Sequence, residues 1–319
     1  VNTLYEYGRM AEDDVRVEGY LKALQRVIRP GDRVLEIGSG PGIFSIAAAK
    51  MGASKVFAVE PSFAVNYGPL LARENGVGDR VEFFRGLSQN LVLDCQVDVV
   101  VSDLRGALPL FNRHLPTLKD ARVRLLKPGG VMIPLEDTIF AAPVDDPMVE
   151  CLIDRPWRNN LFGLNLEALA DVEMSRVWRS RLEPSAIKSP PSLLARINYQ
   201  AINDFGFSSS VEWELRDHCQ VSGIGLWFDG LLAHEVAISN HPSAKHAIYG
   251  QSVLPIGKIN CLPGSRIAAE ISAKFTGSTY IWQWTIRIFD PDGSCISEAS
   301  RNSMDFPGNW PEVTALSVN

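Results

Sequence analysis

Apolar positions follow two different rhythms along this chain. From about Asp14 to Pro134, short apolar runs alternate with segments whose apolar residues recur every three or four positions. Val17, Tyr20, Leu21, Leu24 and Val27 share one face of a helix expected over Asp14–Ile28. Arg33–Ile37 reads as a strand, Ile43–Met51 as a helix of small residues, and Lys55–Glu60 as a second strand. A helix is expected over Asn66–Glu74, stopped by Asn75 and Gly76. Strands follow over Val81–Phe84 and Asp98–Ser102, and a helix near Leu118–Leu126 meets a stop at Lys127-Pro128-Gly129-Gly130 before a strand from Val131 to Ile133. Alternating β and α segments imply a parallel sheet covered on both faces.

Beyond Pro134 the rhythm changes. Short β-prone runs dominate, at Leu193–Tyr199, Val211–Leu215, Gly225–Phe228, Ile267–Phe275 and Ile281–Phe289. Asp290-Pro291-Asp292-Gly293 is a hairpin-turn signal. This spacing predicts an antiparallel sandwich or barrel. Leu164–Leu182 interrupts it with helical character, ahead of Pro190-Pro191, and reads as an excursion from the barrel.

Length and charge narrow the class. At 319 residues the chain has room for two compact units. A net charge of −6 and no Lys/Arg cluster argue against a nucleic-acid partner. No apolar run reaches membrane-spanning length. Val1 is followed by polar and charged residues, so no signal peptide is expected and a cytoplasmic location is. Five scattered cysteines without a C-x-x-C pair suggest reduced packing residues rather than a zinc site or disulfide framework. His241 and His246 have no metal-ligand spacing, and no metal is expected.

The chemistry is densest between Arg33 and Pro61. An apolar strand runs into Gly38-x-Gly40-x-Gly42, then a helix, then a strand closing on Glu60. Glycines there let the backbone bend tightly and let a ligand approach. An acid closing the next strand can accept two hydrogen bonds from a ribose diol. Dinucleotide-binding folds share both features but prefer a third glycine one residue later. The compact spacing favours S-adenosylmethionine (SAM), which has no pyrophosphate to seat, over NAD.

Over nearly its full length, from Tyr7 to Phe306, the chain resembles the class I protein arginine methyltransferases. Tyr7 to Arg16 followed by Tyr20 looks like that family's N-terminal helix motif, and Val34 to Gly42 like its first SAM motif. Val97–Asp103 with Gly106 looks like its substrate-loop segment, and Leu126–Pro134 like its last domain strand. Gly223–Asp229 and Gln251–Leu254 match barrel patterns, and Trp157 with Phe162-Gly163-Leu164-Asn165 matches the start of its dimerisation arm. The resemblance implies a Rossmann-like class I SAM-dependent methyltransferase domain over 1–134, with an N-terminal helix over 9–28. A β-barrel or sandwich domain over 135–319 would follow, carrying a helical arm near 164–185 that makes a homodimer. Leu166, Leu169, Val172 and Met174 are the arm's apolar residues in search of a surface.

Carried over residue by residue, the resemblance nearly completes a SAM site. Arg16 would face the SAM carboxylate, Gly38 and Gly40 the amino-acid and ribose portion, and Glu60 the ribose hydroxyls. Gln89, where the family has a glutamate, would accept from the adenine amino group. Met10 would sit against the sulfonium, and Tyr7, Glu36 and Ser88 complete the set.

The acceptor side departs from the pattern. Two glutamates neutralise a guanidinium in the family; here the positions hold Asp103 and the uncharged Asn112. Arg105 between them would repel a cation if it pointed inward, bind a substrate carboxylate, or be solvated, the last being the plainer expectation. Ala247, Ile248 and Tyr249 replace a Thr-His-Trp loop, with His246 displaced by two positions and Tyr249 a possible pocket wall. His114 stands where the family has a methionine beside the reacting centre, and an imidazole there is a candidate base. Glu136 and Asp137 follow in sequence as acids without an evident place in the site. The leading expectation is methyl transfer to oxygen or nitrogen of a small metabolite or modified peptide. The alternatives are arginine N-methylation through a degenerate double-acid loop, and an inactive SAM-binding scaffold.

Overall fold

A computed structural model describes residues 3–159, 163–245 and 248–304. Phe162, His246, Ala247 and Phe306, which entered the sequence reading, lie outside the described residues.

The chain opens with α1 (Leu4–Glu12) and α2 (Asp14–Val27), two helices where one was expected over 9–28. Asp13 separates them because it is extended and its carboxylate accepts from Arg16 N–H, capping α2. Next come β1 (Arg33–Ile37), α3 (Ile43–Lys50) and β2 (Lys55–Glu60), which match the apolar pattern closely. The expected helix over 66–74 splits into a tight turn at Phe63–Tyr67 and α4 (Gly68–Glu74), with Pro69 in its first turn. β3 (Val81–Arg85), β4 (Val97–Ser102), α5 (His114–Arg124) and β5 (Leu126–Ile133) complete this half. α5 starts and stops earlier than periodicity suggested. Lys127–Gly130 does not end a helix but bulges out of β5, whose pairing with β4 jumps from Val97–Leu126 to Val99–Val131. The five strands form a parallel sheet in the order β3-β2-β1-β4-β5.

The second half begins with β6 (Glu136–Val144). A wide helical turn at Val149–Asp154 leads to α6 (Arg155–Arg158) and then α7 (Glu167–Met174). The remaining strands are β7 (Trp178–Ser180), β8 (Ser192–Asn198), β9 (Phe207–Glu214), β10 (Cys219–Ala233), β11 (Val236–Ser239), β12 (Gln251–Cys261), β13 (Arg266–Phe275), β14 (Tyr280–Phe289) and β15 (Cys295–Asn302). One antiparallel sheet runs β7-β12-β10-β6-β8, with β11 on β10, and a second runs β15-β14-β13-β9. In β14, buried Tyr280, Trp282, Trp284, Ile286 and Ile288 alternate with more open positions, as a one-faced strand requires. Asp290–Ser294 closes the β14–β15 hairpin as its sequence suggested.

The halves share their cores. Tyr20, Ala23 and Leu24 of α2 pack with Phe228 and Leu232 of β10 and Ile238 of β11. A Cβ at Gly19 would meet Ile238, so that helix approaches the barrel at glycine distance. Tyr199 and Trp213 from the barrel join a core containing Leu35, Val100 and Leu118. In the excursion, Met174 packs on its own barrel against Ile153, Leu182 and Val253, while Leu152 on the adjoining turn is 69% exposed. The arm's last apolar residue therefore needs no partner chain.

Candidate functional site

β1 and β4 are neighbours at the centre of the parallel sheet, and the chain leaves them toward opposite sides. Such a reversal opens a crevice beyond the carboxyl ends of the strands. The glycine turn after β1 and the loop from Asp103 to Arg113 after β4 both flank it. A cavity of about 450 Å³ fills the crevice. Its walls bring together Tyr7, Met10, Arg16, Glu36, Gly38, Glu60, Ser88 and Gln89 with Asp103, Arg105, Asn112 and His114. Gly40 stands one layer behind, with φ +54°, where a Cβ would run into the Tyr7 ring.

Glu60 closes β2 with both oxygens engaged by backbone. Oε2 accepts from Gly40 N–H at 3.0 Å and Oε1 from Ser62 N–H at 2.8 Å. Each oxygen keeps a further lone pair. At the far wall, Gln89 Nε2 donates to Thr117 Oγ1 at 2.9 Å, which leaves the amide oxygen as the accepting atom. The neighbouring Ser88 hydroxyl is buried without a partner. Thr117 went unnoticed in the sequence because it follows Gln89 by 28 positions and lies on another helix.

Arg16 closes the opposite end. Its Nε donates to Asp103 Oδ2 at 2.5 Å and its Nη1 to Met10 O at 3.3 Å, with the Phe44 ring centroid 5.0 Å from the guanidinium carbon. Burial works against this charge, but Asp103 outweighs it and holds the guanidinium more firmly protonated than usual. A carboxylate at one end, a cation at the other and acceptors along one wall fit a nucleoside that carries an amino acid, as SAM does. Among the described residues no His, Cys, Asp and Glu side chains are grouped to hold a metal.

Glu36 lies in the cavity floor, its Oε2 accepting from Ser45 Oγ. Burial pushes its carboxyl up to about 7, with Ser45 pulling the other way. Between the ordinary glutamate value of 4.5 and about 7, the folded chain therefore keeps a proton that the unfolded chain has released. Stability falls as pH rises through that window. We expect Glu36→Gln to stabilise the protein at pH 8 by about 1–3 kcal/mol and to flatten the slope between pH 5 and 7. Chemical denaturation across that range checks it; an unchanged slope contradicts the assignment.

The acceptor side differs most from expectation. The Asp103 side chain is 5% exposed and takes three donors: Oδ2 takes Arg16 Nε and the Tyr249 hydroxyl at 2.7 Å, and Oδ1 takes Arg105 Nη1 at 3.2 Å. Burial disfavours its charge, yet the two guanidiniums prevail and hold the carboxyl below its usual range. Arg105 is not solvated. Its side chain is 0% exposed, and its Nε donates to Asp137 Oδ2 at 2.8 Å while Nη1 reaches the Tyr20 hydroxyl at 2.9 Å. Asp137 thus enters the site region from β6, across the boundary between the two halves. Local sequence carried no sign of this, because the pairing is made between a loop after β4 and the first strand of another sheet. Tyr249 lies behind Asp103 rather than on the cavity wall. Asn112 sits exposed at the rim with φ +45°. His114 is 2% exposed, at the first turn of α5, and so is not a surface histidine.

Comparison with known proteins places this architecture. A family model for ribosomal protein L11 methyltransferase (PrmA) matches residues 17–134. Protein arginine N-methyltransferase PRMT10 of Oryza sativa subsp. japonica is 34% identical over 197 residues, 58% of this chain and 51% of that protein. Ribosomal protein arginine N-methyltransferase rmt3 of Schizosaccharomyces pombe is 29% identical over 226 residues, 69% of this chain and 41% of that protein. The chain spans about half the length of these relatives. The solved Trypanosoma brucei PRMT1 enzyme–prozyme heterotetrameric complex with AdoHcy superposes with a TM-score of 0.83 at 21% identity, covering 93% of this chain and 97% of that one. By fold and glycine-turn crevice, the chain is a class I SAM-dependent methyltransferase-like protein. Within that class it is similar to the protein arginine methyltransferases, with a parallel-sheet domain joined to a barrel.

Proposed function

We propose that this chain binds SAM and transfers its methyl group to oxygen or nitrogen of an uncharged acceptor, a small metabolite or a modified peptide. When bound, SAM supplies a methyl group activated on a sulfonium and departs as S-adenosylhomocysteine. Glu60 would hold the ribose diol, Gln89 and Ser88 the adenine edge, and Arg16 the carboxylate. The protein's share is alignment, since a held near-attack geometry removes roughly 7–11 kcal/mol of a barrier.

One observation supports the choice of acceptor: every carboxylate at that end is already matched. Asp103 and Asp137 face Arg16 and Arg105, two negative charges against two positive ones, and the second acid position is Asn112. Among these four groups an incoming guanidinium would meet no spare negative charge and two fixed cations. Arg105 is charge-matched in turn by Asp137 and Asp103, with Nη2 its one unpartnered nitrogen, and an acceptor without charge suits that balance. Arginine N-methylation is the second reading. It is favoured by the names of the curated relatives and by the buried acid Asp137 beside Asp103.

The experiment incubates the protein with methyl-labelled SAM and either arginine-rich peptides or an extract of metabolites and small peptides. Label is expected in the extract and not in the arginine peptides. Efficient labelling of arginine peptides, abolished by Asp103→Ala, would overturn the proposal. A homodimer through the 164–185 arm is part of the same reading; sedimentation as a monomer at low micromolar concentration refutes it.

A further inference from the structure

His114 belongs to a buried chain of polar groups that the donor site does not use. Its Nε2 lies 2.9 Å from the Tyr199 hydroxyl, and that hydroxyl lies 2.5 Å from Asp137 Oδ2. All three side chains are buried. A carboxylate only accepts, so Tyr199 spends its one proton on Asp137. The Tyr199 oxygen then accepts from His114, which fixes the imidazole with its proton on Nε2. Nδ1 is left with a lone pair, and it is buried without a hydrogen-bond partner. The residue itself lines the cavity that holds Asp103, Arg16 and Met10.

We propose that His114, Tyr199 and Asp137 form a proton relay that accepts the proton of the methylated group at His114 Nδ1 and delivers it to Asp137. The inference rests on the methyl-transfer reading above and narrows the acceptor to a group with an N–H or O–H to give up. As the acceptor's lone pair forms the bond to the methyl carbon, the carbon–sulfur bond breaks and its electron pair stays on sulfur. The acceptor's proton passes to His114 Nδ1, the Nε2 proton to the Tyr199 oxygen, and the Tyr199 proton to Asp137 Oδ2. Histidine and tyrosine end neutral, Asp137 ends as a carboxylic acid beside Arg105, and the proton returns the same way once product has left.

The charges around the chain fit a relay better than a lone base. Burial, reinforced by Arg105, lowers His114 to about 3, so it cannot store the proton itself. Burial raises Asp137 above the ordinary carboxylate range despite Arg105, so the far end is the better resting place. His114 is the member of the chain that lines the cavity; Tyr199 and Asp137 act through it.

The test uses the full chain labelled with ¹⁵N-histidine and saturated with S-adenosylhomocysteine. Two-bond ¹H–¹⁵N spectra are recorded from pH 5.5 to 8. The expected result is a neutral His114 with its proton on Nε2 throughout, changing to a mixture of tautomers in Tyr199→Phe. With the acceptor found by labelling, Tyr199→Phe is expected to lower kcat about 100-fold with KM for SAM unchanged. A proton on Nδ1 in the unmodified protein, a charged His114 at pH 6, or a Tyr199→Phe variant with undiminished kcat would each overturn the relay. The spectra need no turnover, so absence of any methyl product counts against the methyl-transfer reading and leaves the tautomer result standing on its own.

Discussion

Arg105→Ala is expected to cost about 3–5 kcal/mol of folding stability. The guanidinium is enclosed, with Asp137, Asp103 and the Tyr20 hydroxyl as partners and the Phe228 ring centroid 5.2 Å from its central carbon. Removing it leaves Asp137 as an unpaired buried charge, and the cost is that of desolvating a carboxylate. The loss should shrink as pH falls and Asp137 takes up a proton. Arg105→Met restores volume but not charge and should remain destabilised at pH 8. Combined with Asp137→Leu, it should recover most of the loss, since a buried pair replaced whole by apolar residues is often neutral or better. Urea denaturation of the three variants measures this. A single Arg105→Ala within 1 kcal/mol of the parent would show that the pair does not join the two halves as described.

Glu60→Ala is expected to weaken S-adenosylhomocysteine binding by at least about 100-fold, or roughly 3 kcal/mol. Two hydroxyls on an ionised carboxylate are each worth about 1.5–3 kcal/mol. The same carboxylate also fixes Gly40 and Ser62 N–H, so its loss loosens the turn that the ligand meets. Calorimetric titration compares the two proteins. Affinity within threefold of the parent would mean that the ligand does not sit against β2.

These two residues mark what was readable in the sequence and what was not. Glu60 was legible because its whole context is local: an apolar strand, glycines at fixed offsets, a helix and a second strand within 30 residues. The same holds for α2 and for the alternation along β13 and β14. β6 escaped notice because Glu136–Val144 mixes small residues with Pro143, a poor strand signature. Pro143 is tolerated because β8 pairs with β6 only as far as Ala141, and beyond it the segment at Ile187 and Lys188 asks Pro143 only to accept, its carbonyl taking Lys188 N–H at 2.9 Å. Arg105, His114 and Asp137 were visible as residue types, but their partners lie up to 85 positions away on other elements. Whether a charge is solvated or neutralised is decided by those tertiary pairs, and no periodicity records them.

In the function we propose, a SAM site stands beside an acceptor site where Asp103 and Asp137 are already ion-paired. The most direct measurement is where the methyl group goes. Product labelled from methyl-tritiated SAM is acid-hydrolysed and chromatographed beside methylarginine standards. The label is predicted to run away from every methylarginine; label that coincides with methylarginine, and disappears in Asp103→Ala, would contradict the account.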